Sequence, residues 1–235
     1  MGSSNGDSDE RPVHAVTVSG FSISKYPITQ KEWSEVMGTT IQQQRDAADR
    51  SGRLAGVGDN HPIYYVNWYE AVDYCNKRSV MEGLTPAYRG SRDNITCDWN
   101  ANGYRLPTEA EWEFAAKGGT RDLMALEYSG SNSVEAVAWH NENSEGSAYP
   151  VGSKAPNSLG LYDMSGNVYE WCWDKYGSYS RTAQTDPKGS TSSRANNVRR
   201  GGGWSSDAYN VRSTNRSFAA PANRYDYVGF RVVRP

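Results

Sequence analysis

The chain has 235 residues, 37% of them hydrophobic, and contains no apolar run approaching the roughly 18 residues that a membrane-spanning helix needs. We therefore expect a domain that does not span a membrane. The 25 Lys and Arg residues nearly balance the 27 Asp and Glu residues, so the net charge of −2 provides no basic field for DNA or RNA, and nucleic acid is not an expected partner.

The first part of the chain combines a polar leader with a predicted strand. Residues 1–12 (MGSSNGDSDERP) are polar and lack the apolar stretch of a signal peptide, which predicts a disordered or vector-derived leader. They do not indicate the cellular compartment. Residues 13–23 then alternate apolar and polar side chains, the pattern of a strand with one buried face. The folded domain is thus expected to begin at residue 13.

Two helices are predicted in the next stretch. Thr29, with Glu32 three residues later, forms a capping box, and Gly38 is a stop signal. Residues 39–60 are polar without a clear period, which predicts a surface loop. Behind Asn67, apolar residues recur at helical spacing, so we expect the second helix there.

The second half of the chain is predicted to be mostly irregular. Residues 95–99 have strand-like composition, and Thr108 with Glu111 predicts a third short helix that ends at the glycines of residues 118–119. Beyond them Gly, Ser, Asn and Pro recur so often that only short strands fit. Because no repeat and no linker divides the chain, we predict a single α+β domain over residues 13–235.

Several segments together carry a family resemblance. They are residues 26–29 (YPIT), 103–119 (GYRLPTEAEWEFAAKGG), 156–171 (PNSLGLYDMSGNVYEW), 200–204 (RGGGW) and 229–231 (GFR). In this order they resemble the formylglycine-generating enzyme (sulfatase-modifying factor) domain. The resemblance implies a C-type lectin-like fold with two main helices, a small antiparallel sheet and long ordered loops.

The cysteine pattern departs from that of the enzymes in this family. The resemblance implies that their two catalytic cysteines would fall at the positions of Ser206 and Val211. Serine cannot supply a thiolate of low pKa, and valine has no ligand atom, so we expect no enzyme activity. Cys75, Cys97 and Cys172 lie elsewhere in spacings that do not suggest zinc. We expect them to be small buried hydrophobes, with one disulfide between two of them left open.

The segment between Trp204 and Gly229 also resembles the variable region of proteins diversified by diversity-generating retroelements, a family with members on the surface of spirochaetes. In that family, template adenines are copied as any base, and the resulting codons cannot encode Lys, Glu, Gln, Met or Trp. None of those residue types occurs in residues 205–227. We therefore predict a variable region there, in which Arg212, Arg216, Arg224, Gly229 and Phe230 act as fixed clamps.

The chemistry of this region favours binding. Residues 200–235 contain six Arg, two Asp and no Lys, and the planar guanidinium can hold carbonyls or carboxylates in fixed geometry. Between the arginines lie the Tyr, Ser, Asn and Asp side chains typical of an adaptable binding loop. The predicted ligand-binding positions are Ser205, Ser206, Asp207, Tyr209, Asn210, Ser213, Ser217, Phe218, Ala219, Ala220, Ala222, Asn223, Tyr225, Asp226 and Tyr227.

A calcium site is a further expectation from the enzyme resemblance. It implies ligands at Asp163, Gly166, Val168 and Glu170, and oxygen donors from a tight loop suit Ca²⁺. Such an ion would be structural, and no cofactor is required. In the alternative interpretation, Asp163 and Glu170 cap turns and contact arginines.

These observations predict a non-enzymatic protein that binds a protein or other macromolecule on another cell. By analogy we expect display at a cell surface or outside the cell, with a lipid anchor. Two alternatives stay open: an oxidase of the formylglycine-generating type, which both catalytic positions disfavour, and a fixed glycan-binding lectin. The usual paired carboxylate and amide ligands of calcium-dependent lectins are not evident.

Overall fold

The computed structural model describes residues 1–121, 125–192 and 196–235. Its α-helices are α1 (Gln30–Met37), α2 (Ile41–Ala47), α3 (Trp68–Met81), α4 (Glu109–Ala116) and α5 (Val134–Val137), and its 3-10 helices are Ser8–Glu10, Arg92–Asn94 and Ala208–Val211. Its strands are β1 (Val16–Thr17), β2 (Ser22–Ile23), β3 (Tyr88–Arg89), β4 (Thr96–Cys97), β5 (Tyr169–Lys175), β6 (Gln184–Thr185), β7 (Asn197–Arg200), β8 (Arg216–Ala219), β9 (Val228–Gly229) and β10 (Val233–Arg234). Long ordered segments join these elements, as the sequence predicts for an α+β, C-type lectin-like fold.

The main sheet has four strands in the order β8, β7, β5, β9. Strand β7 is antiparallel to β5 and β8, whereas β9 is parallel to β5, so the sheet is mixed rather than purely antiparallel. The strand β9 passes close to the segment before α3, because a Cβ atom at Gly229 would collide with the carbonyl oxygen of Ile63. Only glycine fits there, which agrees with the role of a fixed position.

The predicted helices α1, α3 and α4 are confirmed, and α1 and α4 begin at the predicted caps Thr29 and Thr108. Thr29, Asn67 and Thr108 each accept a hydrogen bond from the backbone N–H three residues later, and the glutamate at that third position binds back. Gly38 ends α1 in the left-handed conformation at φ 71°. Local signals thus determine where these helices begin and where α1 ends.

The region predicted as a loop, residues 39–60, contains a helix instead. Thr40 caps α2 and forms a capping box with Gln43, and Ile41 is buried in the core. The predicted strand over residues 13–23 is also shorter, since β1 pairs with β6 and β2 with β10 in separate two-stranded sheets. The capping box of Thr40 and Gln43 is a local signal for the start of α2. It was overlooked because the few apolar residues that follow show no clear helical period.

Residues 1–12 are packed against the domain, so the prediction of a disordered leader is wrong. Glu10 is fully buried, and its carboxylate accepts hydrogen bonds from Arg212. The carbonyl oxygen of Asp9 accepts from Arg216, and the Asp7 carboxylate accepts from the Tyr209 hydroxyl. The polar composition was misleading because these residues are ordered by ion pairs and hydrogen bonds rather than by apolar burial.

The core is dominated by aromatic side chains. Phe230 is fully buried and meets Tyr74 and Trp33 edge to face, with ring centroids 5.1 and 6.1 Å apart. Cys75 and Cys172 are buried as predicted, and all three cysteines are free thiols, so the open question of a disulfide is answered in the negative for this structure. Among the described residues, no helix is long and apolar enough to cross a membrane.

Candidate ligand-binding site

The site rests on a set of arginines that each pair with a glutamate from another part of the chain. The pairs are Arg200–Glu113, Arg212–Glu10, Arg216–Glu109, Arg224–Glu70 and Arg231–Glu170. Two of the acceptors, Glu109 and Glu113, lie on α4, which places that helix directly below the C-terminal segment. The predicted clamping role of Arg212, Arg216 and Arg224 is consistent with these contacts.

Two of these pairs hold the backbone of the C-terminal segment in place. Arg216 binds Glu109 through two hydrogen bonds of 2.7 Å and stacks on Tyr179, 3.9 Å from the ring centroid. Arg200 binds Glu113 at 2.5 Å and donates to the carbonyl oxygens of residues 213–215. Burial alone would raise the pKa of Glu113, but the charges of Arg200 and Lys117 lower it below its ordinary value. The Glu113 carboxylate is therefore an ionised partner of the Arg200 guanidinium.

Between the arginines, short stretches of chain are exposed. Tyr209 and Phe218 stand out because each keeps 45% of its surface in water, an unusual state for large aromatic side chains. The exposed predicted positions are Ser205, Asp207, Tyr209, Phe218, Ala222 and Asn223, and the partly exposed ones are Ser206, Asn210, Ser217, Ala220, Tyr225, Asp226 and Tyr227. We call these two groups together the binding face.

Two predicted positions, Ser213 and Ala219, are buried and do not belong to the binding face. Ala219 ends strand β8 and packs against the main core, because successive strand residues point to opposite sides of the sheet while Phe218 points outward. Ser213 accepts a hydrogen bond from Arg200 through its carbonyl oxygen and is fully enclosed. Their assignment as ligand-contacting residues is therefore wrong.

At one end of the binding face, tyrosines surround an arginine that the sequence analysis did not single out. The Arg199 guanidinium lies over the rings of Tyr169, Tyr225 and Tyr227, at 4.5, 5.1 and 5.4 Å from their centroids. Its Nε donates to the Ser217 hydroxyl at 3.1 Å. Successive residues of a strand point to opposite faces of the sheet. Because Arg200 of β7 points toward α4, its neighbour Arg199 points to the opposite face, and this alternation could be read from the sequence.

The positions that would carry catalytic thiols have structural roles here. The Ser206 hydroxyl accepts a hydrogen bond from the Gly203 N–H at 3.0 Å, and Val211 is buried in a small apolar cluster. Burial raises the pKa of the Cys97 thiol to about 12 and that of Cys75 and Cys172 further. All three cysteine thiols are therefore held in the protonated, weakly nucleophilic form.

The two carboxylates expected to bind calcium, those of Asp163 and Glu170, accept hydrogen bonds from protein donors. Both oxygens of the Glu170 carboxylate accept from Arg231, at 2.7 and 2.8 Å, and one accepts from the Trp112 indole at 2.6 Å. The Asp163 carboxylate accepts from the Gly152 N–H and the Asn167 amide. Every oxygen of these two carboxylates therefore accepts a hydrogen bond from a protein donor, and one of the donors, Arg231, is positively charged. These contacts agree with the alternative interpretation, in which Asp163 and Glu170 cap turns and contact arginines.

The other two expected calcium ligands are also packed tightly. A Cβ atom at Gly166 would collide with the carbonyl oxygen of Trp139, and Val168 is fully buried. Among the described residues, no group of three or more His, Cys, Asp or Glu side chains is arranged to hold a metal ion. The loop packs against the segment around Trp139, whose carbonyl oxygen accepts a hydrogen bond from the Asn167 N–H at 2.9 Å.

The whole chain, residues 1–235, matches the family described as the sulfatase-modifying factor enzyme 1-like domain. The match includes residues 1–12, so the expectation that they lie outside the domain is also wrong. The chain is 35% identical to the chaperone protein LppX of Paenibacillus barcinonensis, over 93% of this chain and 81% of that protein.

Similarity extends to an enzyme and to a variable protein. The formylglycine-generating enzyme of Streptomyces coelicolor is 30% identical over 86% of this chain, which spans only 60% of the enzyme's length. The solved structure of Treponema denticola variable protein 1 is similar with a TM-score of 0.87 and 33% identity, over 100% of this chain and 91% of that chain. The fold predicted from the sequence is confirmed by these matches.

Proposed function

Because the chain belongs to the family of sulfatase-modifying factor enzyme 1-like domains, we propose that it is a non-enzymatic member that binds a macromolecular ligand. In this proposal the binding face is a diversified surface, and the Arg–Glu pairs are the fixed scaffold below it. Family membership alone does not determine function, since one fold serves several activities. The proposal therefore depends on the residues of the site.

The observation that carries the proposal is the separation of buried and exposed positions within one short segment. Arg212 and Arg216 are buried with their glutamate partners, whereas Tyr209 and Phe218 between and beside them are exposed. Exposed substitutions generally change the free energy of unfolding by no more than about 0.5 kcal/mol, whereas breaking a buried pair costs about 3–5 kcal/mol. Such a segment tolerates extensive change on its surface while the fold is kept.

The absence of enzyme activity is supported by the residues at the catalytic positions. Ser206 and Val211 replace the two thiols on which the family's oxidation depends, and Val211 is buried in an apolar cluster. A direct assay is incubation of the purified protein with a cysteine-containing sulfatase peptide, copper and oxygen, beside the Streptomyces coelicolor enzyme. We expect formylglycine only with the enzyme. Product formation by this chain at a comparable rate contradicts the proposal.

The ligand we propose is a protein or other macromolecule on another cell. The binding face is broad and combines aromatic side chains with small polar ones, which suits a macromolecular surface better than a small molecule. The similarity to a protein named as a chaperone also supports a protein ligand. We further propose display at a cell surface through a lipid anchor, by analogy with variable proteins.

The binding role can be tested with two displayed libraries of the whole chain. The first randomises Ser205, Asp207, Tyr209, Phe218, Ala222 and Asn223, and the second randomises Asp73, Lys77, Val80, Met81, Glu82 and Thr85 on and just after α3. The α3 face is a matched control because Val80 and Met81 are also exposed apolar residues. Both libraries are selected against the same panel of purified proteins, and protease resistance reports folding.

We expect both libraries to stay folded and only the first to yield specific binders. If the α3 library yields as many binders, the first region has no special role. If the first library unfolds, its positions belong to the core. Either result refutes the proposed binding face.

Diversification has a separate, genomic test. We expect a near-copy of the coding region for residues 204–229, differing only at adenines, beside a reverse transcriptase gene. Independent isolates should differ at Tyr209, Phe218 and Tyr225 and agree at Arg212 and Phe230. If Arg212 varies as often as Tyr225, diversification is excluded, even where the libraries show binding.

A further inference from the structure

Arg199 differs in its partners from four other arginines of the C-terminal part of the chain. Arg200, Arg212, Arg216 and Arg224 each meet a glutamate carboxylate. In residues 1–121, 125–192 and 196–235, no carboxylate lies within 4.0 Å of the Arg199 guanidinium. The residue is partly exposed and lies at the edge of the binding face.

The immediate surroundings of Arg199 are aromatic. The faces of Tyr169, Tyr225 and Tyr227 stabilise its charge by cation–π contact, and Ser217 accepts one hydrogen bond from Nε. The Nη1 atom is buried, and no described residue accepts a hydrogen bond from it. The structure therefore leaves part of the guanidinium fork desolvated without an acceptor, which is unfavourable in the free protein.

A carboxylate is the acceptor that fits this arrangement. Nη1 is enclosed and Nε donates to Ser217, whereas Nη2 has no protein acceptor among the described residues and is not enclosed, so a ligand carboxylate would reach the guanidinium at Nη2. A charge-assisted hydrogen bond of this kind is stronger than a neutral one, and stronger still where water is excluded. The neighbouring rings of Tyr225 and Tyr227 supply the surrounding desolvated rim. Because Arg in a water-excluding aromatic setting is a frequent source of binding energy, this position is suited to anchor a ligand.

We propose that Arg199 is a fixed anchoring residue of the binding face that takes an aspartate or glutamate side chain of a protein ligand. The inference rests on the proposed binding function and adds the chemistry of one contact. Three neighbours, Ser217, Tyr225 and Tyr227, are predicted variable positions, so diversification would change access to a cation that itself stays constant. Arg199 thus supplies the positive charge, and the side chains at its variable neighbours determine which acidic protein surfaces can contact it.

The test uses NMR titration and calorimetry with tetraglutamate, and tetraglutamine serves as the matched neutral peptide. The Nε–Hε resonance of Arg199, assigned by its loss in Arg199→Gln, reports contact directly. We expect tetraglutamate to shift this resonance and to bind at least tenfold more weakly to Arg199→Gln. Arg89→Gln is the control, because Arg89 is highly exposed on β3 and lies outside the binding face. That variant should bind as the wild type does.

Further variants keep the test decisive if Arg199→Gln fails to fold. Tyr225→Ser removes one ring from above the guanidinium and should shift the Arg199 resonance further at equal peptide concentration. Arg199→Lys keeps the charge without the fork and should bind several-fold more weakly than the wild type.

Three results would overturn the assignment. The first is equal binding of tetraglutamate to wild type and Arg199→Gln, and the second is an unchanged Arg199 resonance. The third is a response to inorganic phosphate without a response to tetraglutamate, because the acidic group would then be a phosphate.

The result is separable from the proposed function. If the library randomised on the binding face yields no binders but tetraglutamate still requires Arg199, the anchoring contact stands and the diversified surface fails. If the library yields binders whose affinity is unchanged by Arg199→Gln, the binding face stands and the anchor is refuted.

Discussion

Two sets of residues lie close together in the sequence of the C-terminal segment, but one set is buried and the other is exposed. Phe230, Arg212 and Arg216 are buried and contact α4, the N-terminal segment or the aromatic core. Tyr209 and Phe218 lie a few residues away and remain nearly half exposed. Within one short segment, buried and exposed positions thus alternate residue by residue, without separate domains.

This division arises because the interactions that stabilise the fold are concentrated at the buried positions. The buried arginines pair with glutamates at distant positions of the chain, and the sheet fixes which strand residues point inward. Tyr209 and Phe218 keep nearly half of their surface in water, so they bury less apolar area on folding.

The largest contrast is expected between two phenylalanines. Phe230→Ala should lower the free energy of unfolding by about 3–5 kcal/mol, because it empties a fully buried aromatic site between Trp33 and Tyr74. Phe218→Ala should lower it by no more than about 1 kcal/mol, because 45% of that side chain is already exposed. Urea denaturation of both variants measures the difference. Equal losses would show that Phe218 belongs to the core.

The next effect concerns the ion pair between the N-terminal segment and Arg212. Glu10→Ala should lower the free energy of unfolding by about 3 kcal/mol, because it leaves a largely buried guanidinium without its partner. Glu142→Ala, at an exposed glutamate, is the control and should change it by less than about 0.5 kcal/mol.

A double variant distinguishes loss of the pair from loss of the segment. In Glu10→Leu with Arg212→Met both charges are replaced by apolar side chains, and we expect this chain to be more stable than Glu10→Ala alone. Thermal melts of the three chains are sufficient. A wild-type melt for Glu10→Ala would mean that residues 1–12 do not support the binding face.

A smaller and pH-dependent effect is expected at the buried Asp163. Burial raises the pKa of Asp163 to about 6 in the folded chain, against an ordinary value of 3.8. A raised pKa means that the folded state favours the protonated form, so this contribution to stability is present below about pH 4 and is lost as the pH rises through about 6. The loss is on the order of 2–3 kcal/mol.

Asp163→Asn removes this titration and provides the measurement. The free energy of unfolding of the wild type should fall, relative to that of Asp163→Asn, between pH 4 and pH 7. Asp186→Asn is a suitable control, because Asp186 is exposed and its hydrogen bonds to Ser19 lower its pKa, which gives the opposite sign. Parallel curves for wild type and Asp163→Asn would contradict the assigned pKa.

Local signals in the sequence were sufficient for much of the framework. Capping boxes at Thr29 and Thr108 predicted the starts of α1 and α4, because a cap depends on side chains only three residues apart. The helical spacing of apolar residues behind Asn67 predicted α3. The ordered motifs predicted the fold, which the similarity to a solved variable protein confirms. The clamping arginines were predicted as well, but their glutamate partners were not.

The predictions that were wrong depended on contacts between residues that lie far apart in the sequence. The polar residues 1–12 gave no sign that Glu10 would meet Arg212, because ion pairs across the chain leave no periodic pattern. Ser213 and Ala219 have the same small side chains as exposed neighbours, and only their place in the sheet or against Arg200 makes them buried. Arg199 was missed for the same reason, since its tyrosine partners come from separate segments.

The smallest expected effect concerns calcium and the loop of residues 163–170. An ion bound only to the folded state at a concentration of 100 times its Kd would stabilise the chain by about 2.7 kcal/mol, so removing it would lower the melting temperature. Since Arg231 and Trp112 already occupy the Glu170 carboxylate, we expect chelator and added Ca²⁺ to leave the wild-type melting temperature unchanged. Glu170→Gln should still be destabilised in both conditions, because the loss of charge weakens a fully buried pair with Arg231. A chelator-dependent drop in the wild type that is absent in Glu170→Gln would instead place a calcium ion at this carboxylate, and the buried Arg231 pair would no longer explain why the loop is ordered.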